Sequence, residues 1–274
     1  MSAVDTSVVD IPPPPVRGWT RARIVGHILV ALWIAAGIGL VAYLILAWSP
    51  DIFEKYAPRY LDGLIVTLTL VLISTIIGAV LSLPITYARM SRNRILSGIA
   101  YAYVYFFRGT PLLAQTFLIY YGLGSFRPEL EAIGLWGLFR EAWYCAILAF
   151  SLNTAAYQAE ILRGAIESVP KGQWEAASSL GMHKLQTLWK IILPQALIVA
   201  LRPYGNEVIL MVKGSAIVAI VTVYDLMGVT RFVYSRTFDF QSYLWAALIY
   251  LAIVEALRNL IEWIERQLTK HLIR

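Results

Sequence analysis

Glu175-Ala176-Ala177-Ser178-Ser179-Leu180-Gly181 is followed, after nine residues, by Ile191-Ile192-Leu193-Pro194. A helix of such small residues can sit deep in a partner's groove, because nothing bulky holds the two backbones apart. Gly181 suits the left-handed position that stops a helix, and Pro194 suits the first turn of the next one. The whole stretch is polar and lies between long apolar runs, so it reads as a loop helix between membrane spans.

Composition sets that context. Hydrophobic residues make up 59% of 274 and charged residues 15%, with a mean hydropathy of +0.65. Soluble domains sit nearer a quarter charged, so most of this chain belongs in lipid. The net charge of +6 could suit nucleic acid, but the placement of the basic residues favours the membrane. Cys145 is the single cysteine, which excludes a disulfide framework and a thiolate metal site. His27, His183 and His271 are far apart, so neither a metal nor another cofactor is expected.

Residues 1–23 form a polar arm carrying Pro12-Pro13-Pro14-Pro15, expected to be extended and solvated on the cytoplasmic side. Ile24–Trp48 follows, about 25 residues without a formal charge and long enough to span a bilayer. The run is too long for a signal-peptide core and no small-residue cleavage site follows, so an uncleaved helix is predicted. Further spans are expected at Leu61–Ala88, about Ile99–Leu123, Ala142–Arg163, Pro194–Val223 and Tyr243–Ile264, making six transmembrane helices in an all-α integral membrane protein. Arg108-Gly109-Thr110-Pro111 interrupts the third. The favoured reading is a short interfacial helix ending near Phe107 and a membrane helix beginning at Pro111, with Arg108 near the headgroups. One continuous span would bury Arg108 at about 3 kcal/mol.

Orientation follows the lysines and arginines. With both termini inside, Arg17, Arg21, Arg23, Arg89, Arg92, Arg94, Lys171, Lys184, Lys190, Arg266, Lys270 and Arg274 are cytoplasmic. Lys55, Arg59, Arg127, Arg140, Arg231 and Arg236 are outside. Twelve against six places the Glu175–Gly181 loop in the cytoplasm.

Polar groups inside spans are expensive and point into a bundle or cavity. Asn153, Tyr157 and Glu160 share one helical face, with Thr154 and Gln158 beside it. In the fifth span Asn206 and Lys213 share a face, and Glu207 stands about 100° away. Two readings stay open. At least one of Glu160 and Glu207 lines a transport path, Glu207 being the better candidate, or Glu160 pairs with Arg163 and Glu207 with Lys213 or Arg202 as structural bridges. Thr67, Thr69, Ser74, Thr75, Gly78, Ala79 and Ser82 in the second span suit close helix packing.

No phosphate-binding loop, nucleophile elbow or paired histidine ligand occurs in the sequence, so the chain is not expected to be an enzyme. No inverted repeat points to a secondary transporter. An ion-coupled transporter or channel using Glu160 and Glu207 stands as the alternative.

Taken together, the Glu175–Pro194 word resembles the cytoplasmic coupling loop of ABC-importer permease subunits, matching at seven positions. Phe107-Arg108-Gly109-Thr110-Pro111-Leu112, Asn153–Ile161, Arg163-Gly164-Ala165-Ile166 and Asn206–Leu210 extend the likeness. They are similar to words in the type I importers of polar amino acids and opines, among them histidine and lysine/arginine/ornithine permeases. The resemblance covers residues 58–270, with the coupling loop at about 168–194, and leaves residues 24–48 as an extra first helix. It implies an ATPase dimer, a homologous second permease, a periplasmic solute-binding protein and a bacterial inner-membrane location. ATP hydrolysis falls to the partner. The resemblance further implies coupling through Glu175, Ala176, Ala177, Gly181, Leu193 and Pro194. It assigns Glu207 contact with a cationic amino acid or opine; Asn206, Glu160, Asn153 and Tyr157 are further pathway candidates from their places as polar residues inside the spans.

Overall fold

The computed structural model describes residues 19–46 and 49–270. The arm up to residue 18, the expected end of the first span at Trp48, and His271 to Arg274 lie outside the described residues. The chain divides into two compact units, the first ending at Pro50 and the second beginning at Asp51. In the first unit α1 runs from Arg21 to Leu46 and buries none of its residues. It begins three residues before the expected Ile24, because the Thr20 hydroxyl accepts from the Arg23 amide at 3.3 Å and caps the first turn.

The second unit is helical throughout, with no strand among the described residues. α2 spans Pro50–Arg89 and α3 Arg94–Gly109, followed by α4 (Leu112–Phe117), which continues as a π-helical turn over Leu118–Gly122. The short α5 (Arg127–Ala132) and α6 (Trp136–Phe139) lead to α7, Ala142–Ser168. Next come α8 (Lys171–Ser179), α9 (Lys184–Thr187) with a π-helical turn at Leu188–Ile192, and α10 (Leu193–Ser215) with a 3₁₀ turn at Ala216–Val221. α11 (Leu226–Thr237) and α12 (Gln241–Thr269) complete it. Arg21–Leu46, Glu54–Arg89, Lys184–Val221 and Gln241–Thr269 are long and apolar enough to cross a membrane.

α7 is the central post, packed against α3, α4 and α10. Its buried residues are mostly small: Ala146, Ala149, Ala155, Ala156, Ala159 and Ala165 surround Phe150 and Leu162. Lipid tails are as apolar as leucine, so helices in a bilayer associate through close packing of small residues rather than hydrophobic burial. The second span shows the same device, as a Cβ on Gly78 of α2 would collide with the Thr154 methyl of α7. Because α7 faces protein on most sides, it tolerates the polar residues that a lipid-facing helix would exclude.

The third span breaks where Pro111 predicts. Pro111 is extended and not helical, and α3 ends at Gly109. Arg108, at the end of α3, is placed against α7. Tyr157, near the middle of the 27-residue α7, donates to the Arg108 carbonyl at 3.4 Å. Arg108 therefore sits beside the middle of α7 rather than at its end. α3 packs against α7 through hydrogen bonds: Tyr103 donates to the Leu152 carbonyl, and Asn153 donates to the Phe107 carbonyl.

Candidate functional site

Two adjoining cavities run along α7, of about 400 and about 300 Å³. Both are lined by Arg108, Tyr157 and Glu160, the first also by Pro203 of α10 and the second by Arg89 and Tyr105. Together they form a vestibule walled by α3, α7 and α10.

Glu160 is the best-satisfied charge in it. Arg89 at the end of α2 donates at 2.8 Å, and Arg163 one turn along α7 donates at 2.8 Å. Arg163 continues to Glu167 at 2.7 Å. The expected bridge to Arg163 is present, and Arg89 is the partner that local spacing could not show. Arg89 also stacks on Tyr101, 5.0 Å from the ring centroid, which ties α2, α3 and α7 together.

Glu207 behaves differently. It lies two turns beyond Ala200 on α10, is 5% exposed, and accepts from Thr154 at 3.0 Å. Neither expected bridge forms: Arg202 pairs with Glu265 of α12 at 3.0 Å, and Lys213 has no ion pair among the described residues. Glu207 also borders an apolar cavity of about 630 Å³ between α2, α7, α10 and α12. Its neighbour Asn206 is exposed and lines a separate recess with Arg202, Glu262 and Glu265. The 100° between consecutive helical residues therefore separates the two.

Asn153 faces the end of α3, as Tyr157 does, but is closed in. It is 6% exposed, donates to the Phe107 carbonyl at 3.0 Å and to Gln115 at 2.9 Å, and lines neither vestibule cavity. Gln115 in turn donates to the carbonyls of Phe107 and Thr110. A helix that ends inside a bundle leaves carbonyls needing donors, and these two amides supply them. Gln115 was missed by the sequence reading. Its signal was an amide one turn after a proline that breaks a span.

The loop helix has the anticipated local form. Gly181 has φ +71°, its amide donates to Ser178 at 2.9 Å, and the Met182 amide donates to Ala177 at 3.0 Å. This is a Schellman termination. Ala177 is buried, Glu175 and Ala176 are exposed, and Leu180 is 80% exposed. Trp174 and Leu193 pack onto the cluster of Leu162, Ile166, Ile192 and Ala196, so α8 is fastened to the ends of α7 and α10. Pro194 occupies the first turn of α10.

A polytopic bundle with an outward-facing small-residue helix at one end and a buried, unpaired carboxylate inside has the construction of a transporter's membrane-spanning subunit. Within that class, the chain belongs to the family of binding-protein-dependent transport system inner membrane components, whose profile matches residues 78–270. It is 44% identical over 222 residues to the nopaline transport system permease protein NocM of Agrobacterium fabrum, covering 81% of this chain and 92% of that one. The arginine ABC transporter permease protein ArtM of Escherichia coli is 39% identical over 213 residues, 78% and 96% of the two chains. A crystal structure of an amino acid ABC transporter with histidines superposes with a TM-score of 0.70 at 36% identity, covering 78% and 96%. The chain is thus a type I permease subunit, an integral membrane component of an ABC importer whose family works with an ATPase and a binding protein.

Proposed function

We propose that this permease imports cationic amino acids or opines across a bacterial inner membrane, with both termini cytoplasmic. Its partners are a homologous second permease, an ATPase dimer that hydrolyses the ATP, and a periplasmic solute-binding protein. The transport domain is residues 58–270 and the coupling loop about 168–194. The observation that carries the cargo assignment is Glu207, a buried carboxylate held by the Thr154 hydroxyl and by no cation within ion-pair distance. In a site of low dielectric such a group attracts an ammonium or guanidinium far more strongly than it would in water. The cargoes for which the relatives are named, nopaline and arginine, both carry that kind of group and support the same reading.

Glu207, Tyr157 and Glu160 are assigned to the pathway, Glu160 as a neutralised wall residue. Asn153 supports the wall from behind, and Asn206 stands on the flank. α8 seats Glu175, Ala176 and Ala177 on the ATPase, with Gly181 ending the helix. Closure of the ATPase dimer moves α8, and the packing through Trp174, Leu193 and Pro194 passes the movement to α7 and α10 as a rigid-body swing. The test is reconstitution of the complex in liposomes with its binding protein. ATP-dependent uptake of arginine, ornithine or an opine is expected. Uptake confined to neutral or acidic amino acids would reject the cargo assignment, and uptake driven by an ion gradient without ATP would favour the ion-coupled alternative using Glu160 and Glu207.

A further inference from the structure

The vestibule wall carries one cation without a counter-charge. No carboxylate lies within ion-pair distance of Arg108 among the described residues. Glu160, which lines both cavities with it, is already occupied by Arg89 and Arg163. Counting Arg89, Arg108 and Arg163 against Glu160 and Glu167, this wall is left with one positive charge in excess.

Arg108 is also held as a recognition group is held. Its carbonyl is fixed by the Tyr157 hydroxyl at 3.4 Å, and its guanidinium lies over the Tyr157 ring, 5.2 Å from the centroid. A ring beneath a planar guanidinium orients the fork of donors that matches a carboxylate. The plain alternative is that Arg108 caps the carbonyl end of α3. Those carbonyls have other donors, however: Thr110 serves Phe106, Asn153 and Gln115 serve Phe107, and Tyr157 serves Arg108 itself.

We propose that Arg108, the vestibule cation left without a carboxylate, is the docking point for the cargo's carboxylate. The inference rests on the reading of the chain as an amino-acid and opine importer, and it adds a second recognition element of opposite charge. It also makes Arg108 a filter. An amine or guanidine without a carboxylate would leave the arginine desolvated and unpaired, and such mismatches are heavily penalised.

The test uses the purified permease–ATPase complex without binding protein, and measures direct binding of L-arginine and of agmatine, which keeps the guanidinium and lacks the carboxylate. The wild type is expected to bind arginine at least tenfold more tightly than agmatine. Arg108→Gln should lose that preference while agmatine binding stays within twofold, and Arg108→Lys should keep part of it. Equal binding of the two probes by the wild type overturns the proposal, and so does an undiminished preference in Arg108→Gln. If Arg108→Gln does not assemble, the wild-type ratio alone decides. Failure of the cationic-cargo reading looks different: L-glutamine binds the wild type and arginine does not. The carboxylate preference is then read with glutamine against 4-aminobutanamide on the same proteins.

Discussion

The Thr154 hydroxyl donates to Glu207 Oε1 at 3.0 Å, across the contact of α7 and α10, and it is the one hydrogen bond that Glu207 receives among the described residues. A buried carboxylate normally carries a cation or several amide donors with it. Glu160, two turns below Thr154 on α7, shows that arrangement with two arginines. The two acidic residues of the spans therefore have different work, one bracing the wall and one left with capacity to spare.

Glu207→Gln tests that difference. Glutamine keeps an acceptor for Thr154, and no salt bridge is broken, so folded yield should match the wild type. Uptake of a cationic substrate by the full transporter should fall at least tenfold, with neutral substrates much less affected. Equal loss for every substrate together with low yield would return Glu207 to a structural role.

Removing the bracing carboxylate should do the reverse. In Glu160→Ala, Arg89 and Arg163 lose a partner at side-chain exposures of 15% and 28%. Breaking an enclosed pair leaves a stranded charge and costs roughly 3 kcal/mol. A double-mutant cycle with Arg89→Ala, read as thermal midpoints of the purified complex, should show strong non-additivity. Additive effects would mean that Arg89 and Glu160 do not hold α2 to α7 in the membrane.

Gly181→Asp addresses coupling. Nothing lies within 4 Å of a Cβ built on Gly181, so the side chain enters open space, and the φ of +71° is one that aspartate tolerates better than most residues. The protein should insert and assemble with its second permease. ATP-driven uptake should be abolished, because the new charge stands at the end of the exposed face of α8. Normal ATPase co-purification with normal uptake would remove α8 from the coupling role.

How far these roles were legible beforehand depended on distance along the chain. The Gly181 termination is local, and every atom it uses lies within six residues, so the sequence carried it completely. The break at Pro111 was equally visible, but where it packs along α7 was not, because that is set by Tyr157 and Asn153 more than forty residues away. Helical periodicity correctly kept Tyr157 with Glu160. It could not show that Asn153, on the same side, is closed off from the cavities by its bonds to the carbonyls that the break exposes. Asn206 and Glu207 read as one polar word, and consecutive residues on a helix were bound to part. Arg89 was counted only as a topological charge, and its pairing with Glu160 became visible when α2 and α7 met.

Topology gives a further check. α2 has 40 residues, about 60 Å of helix against a hydrocarbon core of about 30 Å. Part of it must extend beyond the core, and the topology drawn from the basic residues puts its first turns outside, where Tyr56 packs with Val229 and Val233 of α11. Reporter fusions near Tyr56, Glu131 and Phe238 should therefore score periplasmic, and fusions after Arg94, Lys171 and Arg274 cytoplasmic. If the Glu175 loop and the N-terminus score on opposite sides, the six-span arrangement is wrong.

Asp225 gives the last prediction, which concerns pH. It lies between the spans Lys184–Val221 and Gln241–Thr269, is fully buried, and caps α11 by accepting from the Gly228 amide at 2.8 Å. Tyr250 donates to its other oxygen at 3.3 Å, while the Leu226 amide donates to Thr67 of α2, closing the corner between α2, α11 and α12. Burial pushes its carboxyl up from 3.8 to about 6, the capping amide opposing this only in part. The folded protein therefore holds the proton more tightly than the unfolded chain does. Stability from this group is complete below about pH 3.8 and is lost as pH rises through about 6. The loss amounts to roughly 3 kcal/mol at most. The thermal midpoint of the purified complex should accordingly fall between pH 5 and pH 7.5 more steeply in the wild type than in Asp225→Asn, which keeps an acceptor for Gly228 and has no charge to bury. Identical pH profiles for the two proteins would mean that Asp225 is solvated or paired by a cation in the assembled transporter.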